Sequence, residues 1–492
     1  MTMRNLFSLR WPASPVFAAV FLLGTSCDDE ALVRPNVLII SVDTLRADHV
    51  GCYGYERDTT PELDRFAATA LRYERAYAPA PWTLPSHAGL LSGRHPHEMG
   101  IRDYESALPE NVEMLAEQLS GAGYQCAGFT DSGAGGFVGA DRGFARGFET
   151  YEHAPFHEDS FYQYDIVETV DRAEDWFAER DTERPFFLFL HTKSVHTTRA
   201  DEHVLADSDA PYHKPPAYRT HFLPGDDLQF SWTDAKGHKG VHYLRDINKR
   251  IGDGTFDRSD FTPERLQELI DLYDGGVRYT DEQLGRLFGL LEERGLDENT
   301  LIIVTADHGE AFFEHELLLH KELYEDLLHV PLLVRLPKSA AKLGARSGVV
   351  RAPVSLLDIA PTVLQRLGVG LPDGLDGRVL PTVEAEALGG ERPLFSAYQF
   401  QEDYFYRAAA LCEGPWKLVS YWMTADGDPI VELFDLRTDP NERHPVQDQP
   451  ERLADMLVRA LAWYSAPVGY KGETLAMDEE TLQELRALGY VR

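Results

Sequence analysis

Asp43, Thr83, Asp307 and His308 offer two carboxylates, a hydroxyl and an imidazole, a donor set that suits one hard divalent cation. Calcium, magnesium, manganese and zinc all accept such ligands, so the set does not name the metal. A hydroxyl held on such a cation gives up its proton more readily. The cation also offsets charge on the group under attack, so that a poor nucleophile becomes competent. Singly, each residue has an ordinary structural reading: an Asp after a strand caps a helix, and a Thr just before a proline belongs to a turn. The chemistry lies in the set, with Thr83 as both ligand and nucleophile.

Such a set must be carried by rigid elements. Asn36–Val42, 185–191 and Thr300–Thr305 are short, nearly continuous apolar runs, the pattern of strands buried on both faces of a largely parallel sheet. Helical patterns at 60–71, 111–121, 165–179 and 262–294 alternate with them, which argues an α/β sandwich. In such sheets ligands sit at the carboxyl ends of the strands. Asp43 follows the first run, His191 and His196 close the second, and Asp307 and His308 follow the third.

Residues 199–260 are rich in Asp, His, Pro and Gly with little periodicity, and read as a long excursion over the active-site face. Asp234 and His238 within it have metal-ligand spacing, but they do not follow a strand, and chance explains the spacing better. Beyond residue 370 the apolar runs become short and alternating, at 394–400, 408–412, Trp416–Trp422 and 429–435. A smaller antiparallel sheet is expected there, with helices at Pro450–Tyr464 and 479–488. The expected organisation is a signal segment at 1–27, a catalytic domain at 34–370 and a smaller subdomain at 390–492.

The first 27 residues read as a targeting signal: Arg4 and Arg10, an apolar run from Val16 to Leu23, then Gly24-Thr25-Ser26-Cys27. The pattern resembles a bacterial lipoprotein signal, with Cys27 becoming a lipidated first residue. An ordinary secretory signal is the alternative, and either reading exports the chain to the periplasm or cell surface. No other apolar run reaches the length of about 20 residues that spans a membrane, so the lipid on Cys27 is the expected membrane contact.

The 492 residues carry a formal net charge of −34, which argues against a nucleic-acid footprint. Screening confines the repulsion of an anionic substrate to about 10 Å, so a locally cationic pocket can still hold one. The four cysteines are too few and scattered for a disulfide framework, and Cys52, Cys126 and Cys412 read as small hydrophobes or at most one disulfide.

The stretch Pro81-Trp82-Thr83-Leu84-Pro85-Ser86-His87, closing on Gly93-Arg94, resembles the sulfatase signature, with Thr83 at its leading Cys or Ser and His87 at its Arg. Residues 36–55 and Thr59-Thr60-Pro61-Glu62 are similar to the opening of sulfatase-like members of the alkaline phosphatase superfamily. Residues 302–310 resemble their second metal motif, and the likeness continues through His315, 320–325 and Val330-Pro331-Leu332 to the closing hairpin at 432–442. The resemblance implies an alkaline phosphatase-like sandwich with a large, mostly parallel sheet flanked by helices and a smaller C-terminal antiparallel sheet with a helix.

The same resemblance makes Asp43, Asp307 and His308 metal ligands and Thr83 the nucleophile. Thr44 stands where many sulfatases have another Asp, so one cation is expected. His196 takes the place of the sulfate-contacting His, with His191 beside it. His320 occupies the position of an anion-holding Lys, with Lys321 next to it, and a His there can act as general acid near neutral pH. The Gly-Lys-Trp-His segment of many arylsulfatases is absent.

Threonine cannot be oxidised to the formylglycine aldehyde on which sulfatases depend. A threonyl ester must be cleared by in-line water attack or by transfer, a route well suited to phosphoryl groups, and lipoteichoic acid synthases of this superfamily have a similar set. The expected activity is metal-dependent hydrolysis of an anionic ester through a covalent threonyl intermediate. Its substrate would be a sulfate ester such as a sulfated glycan, or a phosphodiester or phosphonate. A non-catalytic relative that binds sulfated or phosphorylated glycans and a phosphoryl-group transferase are the alternatives.

Overall fold

Asn36–Val42 forms strand β1, whose every residue is buried, as a strand covered on both faces requires. The computed structural model describes residues 34–131, 136–153, 165–197, 209–212, 214–338, 346–383, 392–399, 407–422, 427–465, 470 and 473–474. The signal segment at 1–27 and the helix expected at 479–488 lie outside the described residues.

The central sheet continues with β2 (Leu71–Tyr73), β3 (Gln125–Thr130), β4 (Thr150–His153), β5 (Phe186–Thr192), β6 (Thr300–Thr305), β7 (Leu332–Arg335) and β8 (Gly348–Val350). Its order is β8-β2-β7-β6-β1-β5-β3-β4. β1 pairs in parallel with β5 on one side and β6 on the other. β7 runs antiparallel to both β6 and β2, so the sheet is mostly rather than wholly parallel. The chain leaves β1 towards one edge and returns to the other half through β3, β4 and β5. In open α/β sheets such a reversal is where ligands bind, here beyond the carboxyl end of β1.

The main helices are α1 (Pro61–Ala67), α2 (Thr83–Ser92), α3 (Leu115–Gly121), α4 (Ile166–Glu179), α5 (Val241–Gly252), α6 (Pro263–Glu293), α7 (Ile359–Arg366) and α8 (Pro450–Tyr464). Two starts have plain local causes: the Asp165 side chain accepts from Val167 N, and Thr262 accepts from Arg265 N, each satisfying a donor that a helix N-terminus leaves open. The excursion expected to lack periodicity contains α5. This helix buries Val241, Leu244 and Ile247 along one stripe, and its Asn248 bonds the backbone of Leu318 in both directions.

The C-terminal sheet is an antiparallel meander of β9 (Leu394–Gln399), β10 (Arg407–Glu413), β11 (Trp416–Trp422) and β12 (Ile430–Asp435). Met456 and Ala460 of α8 pack on its Leu411, Leu418 and Leu433. Among the described residues no helix is long and apolar enough to cross a membrane. Cys52, Cys126 and Cys412 are free thiols.

Candidate active site

Strand register brings the site together. Ser41 of β1 lies opposite His191 of β5 and Thr305 of β6, and His191 lies opposite Thr130 of β3. Four strands therefore end at one level, and Asp43, Asp131, Lys193 and Asp307 stand at or just beyond their ends. Asp43 N donates to Thr192 O at 2.8 Å, which extends the ladder one residue beyond β1.

The chain then turns sharply. Thr44 has a φ of 59°, a left-handed conformation that a β-branched residue adopts only under constraint. The constraints are visible: its hydroxyl donates to Asp43 O at 2.7 Å, and its carbonyl accepts from the Tyr273 hydroxyl of α6 at 2.7 Å. A second constraint acts beyond β6. A Cβ on Gly309 would lie 1.9 Å from Asp326 O, so only glycine allows that turn. His308 Nδ1 lies 2.9 Å from Gly309 O and must donate to it, which leaves the lone pair on Nε2.

That lone pair faces the carboxylates. His308 Nε2 is 3.4 Å from Asp43 Oδ1 and 3.6 Å from Asp307 Oδ2. Asp307 Oδ1 accepts from the backbone N–H of His308 at 2.9 Å. Asp43 Oδ1, Asp307 Oδ2 and His308 Nε2 are buried with no hydrogen-bond partner. One ligand atom from each residue lies within 4.8 Å of the others. Three orphaned, convergent donors of this chemistry fit a divalent cation, since buried polar atoms are otherwise paired.

Thr83 opens helix α2, all of whose residues are buried. Its N-cap, Trp82, makes no side-chain cap, so the helix presents uncapped N–H groups beside the cluster. Thr83 Oγ1 lies 3.4 Å from Asp43 Oδ2. One turn on, His87 Nδ1 donates to Thr83 O and Nε2 accepts from the Ser41 hydroxyl, each at 2.9 Å. Gly93, at a φ of 72°, ends the helix in the left-handed cap that glycine favours.

The remaining histidines surround this core. His191 Nε2 is 3.9 Å from Asp43 Oδ2, and its ring centroid is 4.5 Å from that of His87. His320 stands 4.8 Å from His308 and 5.1 Å from His196 by ring centroids, with its Nδ1 3.1 Å from Glu310 Oε1. Asp43, Thr83, His191, His196, Asp307, His308 and His320 are all buried in one cluster, whereas Lys321 is partly exposed.

Burial dominates the electrostatics. It pushes Asp43 up to about 8, with Asp307 adding repulsion, and Asp307 up to about 7. Burial also holds His87 down to about 3 and His308 to about 4, and keeps His191 and His196 well below the usual imidazole range. These four rings are neutral at pH 7. Glu310 is pushed up to about 8 by the same cause.

Sequence reasoning missed Asp131, Lys193, Glu310 and Tyr273. Position alone marks Lys193, since it follows the plain apolar run of β5; Asp131 follows β3, which has no such run. Asp234, His238 and Asp246 also come within reach of one another on the surface. There Lys236 Nζ already pairs with Asp246 at 2.8 Å, and His238 Nδ1 with Asp234 at 2.7 Å.

The family model described as Sulfatase matches residues 35–369, and that described as N-sulphoglucosamine sulphohydrolase, C-terminal, matches residues 313–462. An N-acetylglucosamine-6-O-sulfatase of Bacteroides thetaiotaomicron is 25% identical over 484 residues, covering 86% of this chain and 84% of the relative. The fold is shared with a protein solved in complex with its substrate D-glucosamine-2-N,6-O-disulfate, at TM-score 0.65 and 22% identity over 89% of this chain and 100% of that one. It is shared equally with the phosphonate monoester hydrolase of Agrobacterium radiobacter, at TM-score 0.63 and 22% identity over 91% of this chain and 99% of that one. With the family model matched across the whole parallel half of the molecule, the chain belongs to the sulfatase family of ester hydrolases.

Proposed function

We propose that the chain hydrolyses a sulfate ester, phosphodiester or phosphonate monoester through a covalent ester on Thr83, with one divalent cation held by Asp43, Asp307, His308 and Thr83. The observation that carries this reading is the Thr83 hydroxyl at a helix N-terminus, 3.4 Å from Asp43 Oδ2 and beside three orphaned ligand atoms. When bound, the cation supplies Lewis acidity that favours the alkoxide and neutralises charge on the attacked group.

The side chains account for the rest. Asp43 Oδ2 is placed to accept the Thr83 proton as Oγ1 attacks sulfur or phosphorus. The α2 N-terminus offers donors to the group's non-bridging oxygens, whereas neutral His196 already gives its Nδ1 proton to Thr197 O at 2.7 Å and lines the site with a bare Nε2. His320, oriented by Glu310, gives a proton to the departing ester oxygen. The same imidazole then takes a proton from the water that attacks the threonyl ester in line, which releases sulfate or phosphate and restores the hydroxyl. Thr83 stands at the formylglycine position of the signature, so the aldehyde route is closed to this chain.

The substrate is read as an ester on a glycan or a phosphodiester, in keeping with relatives named for sulfated sugars and with the phosphonate hydrolase likeness. Residues 1–27 are read as a lipoprotein-type signal that anchors the enzyme through Cys27 on the exported side of the membrane. The deciding experiment incubates purified protein and manganese, calcium or zinc with aryl sulfate, aryl phosphodiester and aryl phosphonate probes. Turnover that Thr83→Ala abolishes is expected; binding of sulfated or phosphorylated glycans without turnover on any probe overturns the reading.

A further inference from the structure

Helix α2 carries the nucleophile, and side chains of its first turns fasten it to both strands that end in the carboxylates. The Ser86 hydroxyl donates to Asp307 O, just beyond β6, at 2.6 Å. His87 makes the link to β1: its Nε2 accepts from the Ser41 hydroxyl while its Nδ1 donates to Thr83 O, each at 2.9 Å. Asp307 Oδ2 lies farther from that Nδ1, at 3.5 Å. The ring is wholly buried against β5, with its centroid 5.9 Å from that of Phe189 and 4.5 Å from that of His191.

The spacing of these residues gives the link its consequence. Side chains two apart on a strand share a face at an interval of about 6.6 Å, and side chains four apart on a helix share a face at about 6 Å. Ser41 and Asp43 form such a pair, since the β1 ladder runs on through Asp43 N to Thr192 O. Thr83 and His87 form the matching pair on α2. Strand and helix therefore meet twice in register, Ser41 on His87 and Asp43 on Thr83, the latter with Oγ1 3.4 Å from Oδ2. One contact alone would leave the helix free to pivot about it; the second fixes the angle. Of the two, only the Thr83 contact contains a reacting group.

We propose that His87 is a positioning residue for the nucleophile: anchored on Ser41, it sets the angle at which α2 meets β1 and so holds the Thr83 hydroxyl against Asp43. The inference rests on the hydrolase reading above and adds a residue to it. A displacement of about 1 Å at a reacting group costs on the order of 100-fold in rate. Asp43, Asp307 and His308 do not lie on α2, so the loss should fall on the chemical step with the cation still held.

The test separates the two readings. Wild-type turnover on the aryl ester probes checks the hydrolase reading, whereas the place of Thr83 in variant crystals checks His87 even without turnover. His87→Leu removes both bonds, and Ser41→Ala removes only the anchor. Each is expected to lower kcat about 30-fold, with KM and manganese affinity within about threefold of wild type. His87→Gln, whose amide oxygen reaches the place of Nε2 and still accepts from Ser41, should stay within about fivefold. Wild-type kcat in a folded Ser41→Ala or His87→Leu protein overturns the proposal. So does a rate loss matched by an equal loss of manganese affinity, which would make His87 a prop of Asp307, and so does a His87→Gln protein as slow as His87→Leu. Where no probe is turned over, the crystal structure of Ser41→Ala, the smaller change, decides: Thr83 Oγ1 farther from Asp43 by at least about 0.5 Å is expected, and an unmoved α2 overturns the proposal.

Discussion

His308 Nε2 and Asp43 Oδ1 face one another across 3.4 Å inside the protein, and neither has a hydrogen-bond partner. Metal binding must displace the protons that burial keeps on Asp43 and Asp307 up to about 8 and about 7. Manganese affinity is therefore expected to rise as pH increases from 6 to 8, and to collapse in Asp307→Asn. The metal-free protein should behave oppositely. Both aspartates are raised above their ordinary 3.8, so the folded state holds protons that the unfolded state has released, and stability falls as pH climbs through that window. Calorimetric titrations and melting curves at several pH values with and without manganese check both trends.

Thr83→Ala removes a hydroxyl and little else, since the residue's backbone is already that of a helix start. Turnover should drop by at least about 1,000-fold with metal binding weakened only modestly, because the loss falls on the chemical step. Thr83→Ser keeps the oxygen and should keep measurable activity. A Thr83→Ala protein that turns over at the wild-type rate would remove the nucleophile from the scheme. Trapping of labelled sulfuryl or phosphoryl groups on the wild-type peptide is the direct readout.

The parts of this site are unequally legible in the sequence. β1 and β6 announce themselves as nearly continuous apolar, β-branched runs, and so the residue pattern alone places Asp43 and Asp307 at strand ends. β3 does not: Gln125-Cys126-Ala127-Gly128 lacks the β-branched density of a buried strand, and this hides Asp131 as well. α5 is hidden for a different reason, its apolar stripe being interrupted by His, Arg, Asn and Lys in a segment of low overall hydrophobicity. The approach of Thr83 to Asp43 spans 40 residues and no local pattern encodes it; only the family resemblance joins them. Lys193 shows the limit most clearly, because a lysine after a strand ordinarily lies on the surface.

His320 is buried among the histidines and meets Glu310, whereas neighbouring Lys321 is partly exposed. If His320 protonates the leaving group, its loss should matter most where the leaving group is basic. His320→Gln is expected to slow phenyl esters by about 100-fold and 4-nitrophenyl esters by only a few fold. Lys321→Ala should leave both within about threefold. A His320→Gln penalty that is the same across a series of substituted phenols would assign the imidazole a purely structural part.

The strained Thr44 is held from the far side by α6. The Tyr273 hydroxyl donates to Thr44 O at 2.7 Å and accepts from Arg46 N at 3.0 Å, both inside the protein. Tyr273→Phe orphans these two backbone groups, a cost of about 1–3 kcal/mol. It also frees the turn that aims Asp43. A lower melting temperature together with roughly tenfold lower kcat and weaker manganese binding is expected. A variant that loses stability alone would show that Asp43 is aimed by β1 without this brace.

Among the ties between the C-terminal sheet and the catalytic half is a buried lysine, beside hydrogen bonds such as Ser396 Oγ to Ala78 O and Tyr324 OH to Glu432. Lys417 of β11 is fully buried, and its Nζ lies 2.8 Å from Glu325 Oε1 and 3.1 Å from Glu442 Oε1. These carboxylates raise its pKa above the ordinary lysine value, while burial pushes Glu442 up to about 8. A lysine whose folded pKa is raised contributes its stability fully below the unfolded value of 10.5, so the charged Lys417 stabilises the fold throughout the neutral range. Lys417→Met strands two carboxylates without a cation and should cost about 3–5 kcal/mol at pH 8. At pH 5 the stranded Glu442, already raised by burial, takes up a proton more readily and the penalty should shrink. Equal destabilisation at both pH values, read from urea unfolding, would mean that lost packing of the lysine stem, rather than unpaired charge, sets the cost.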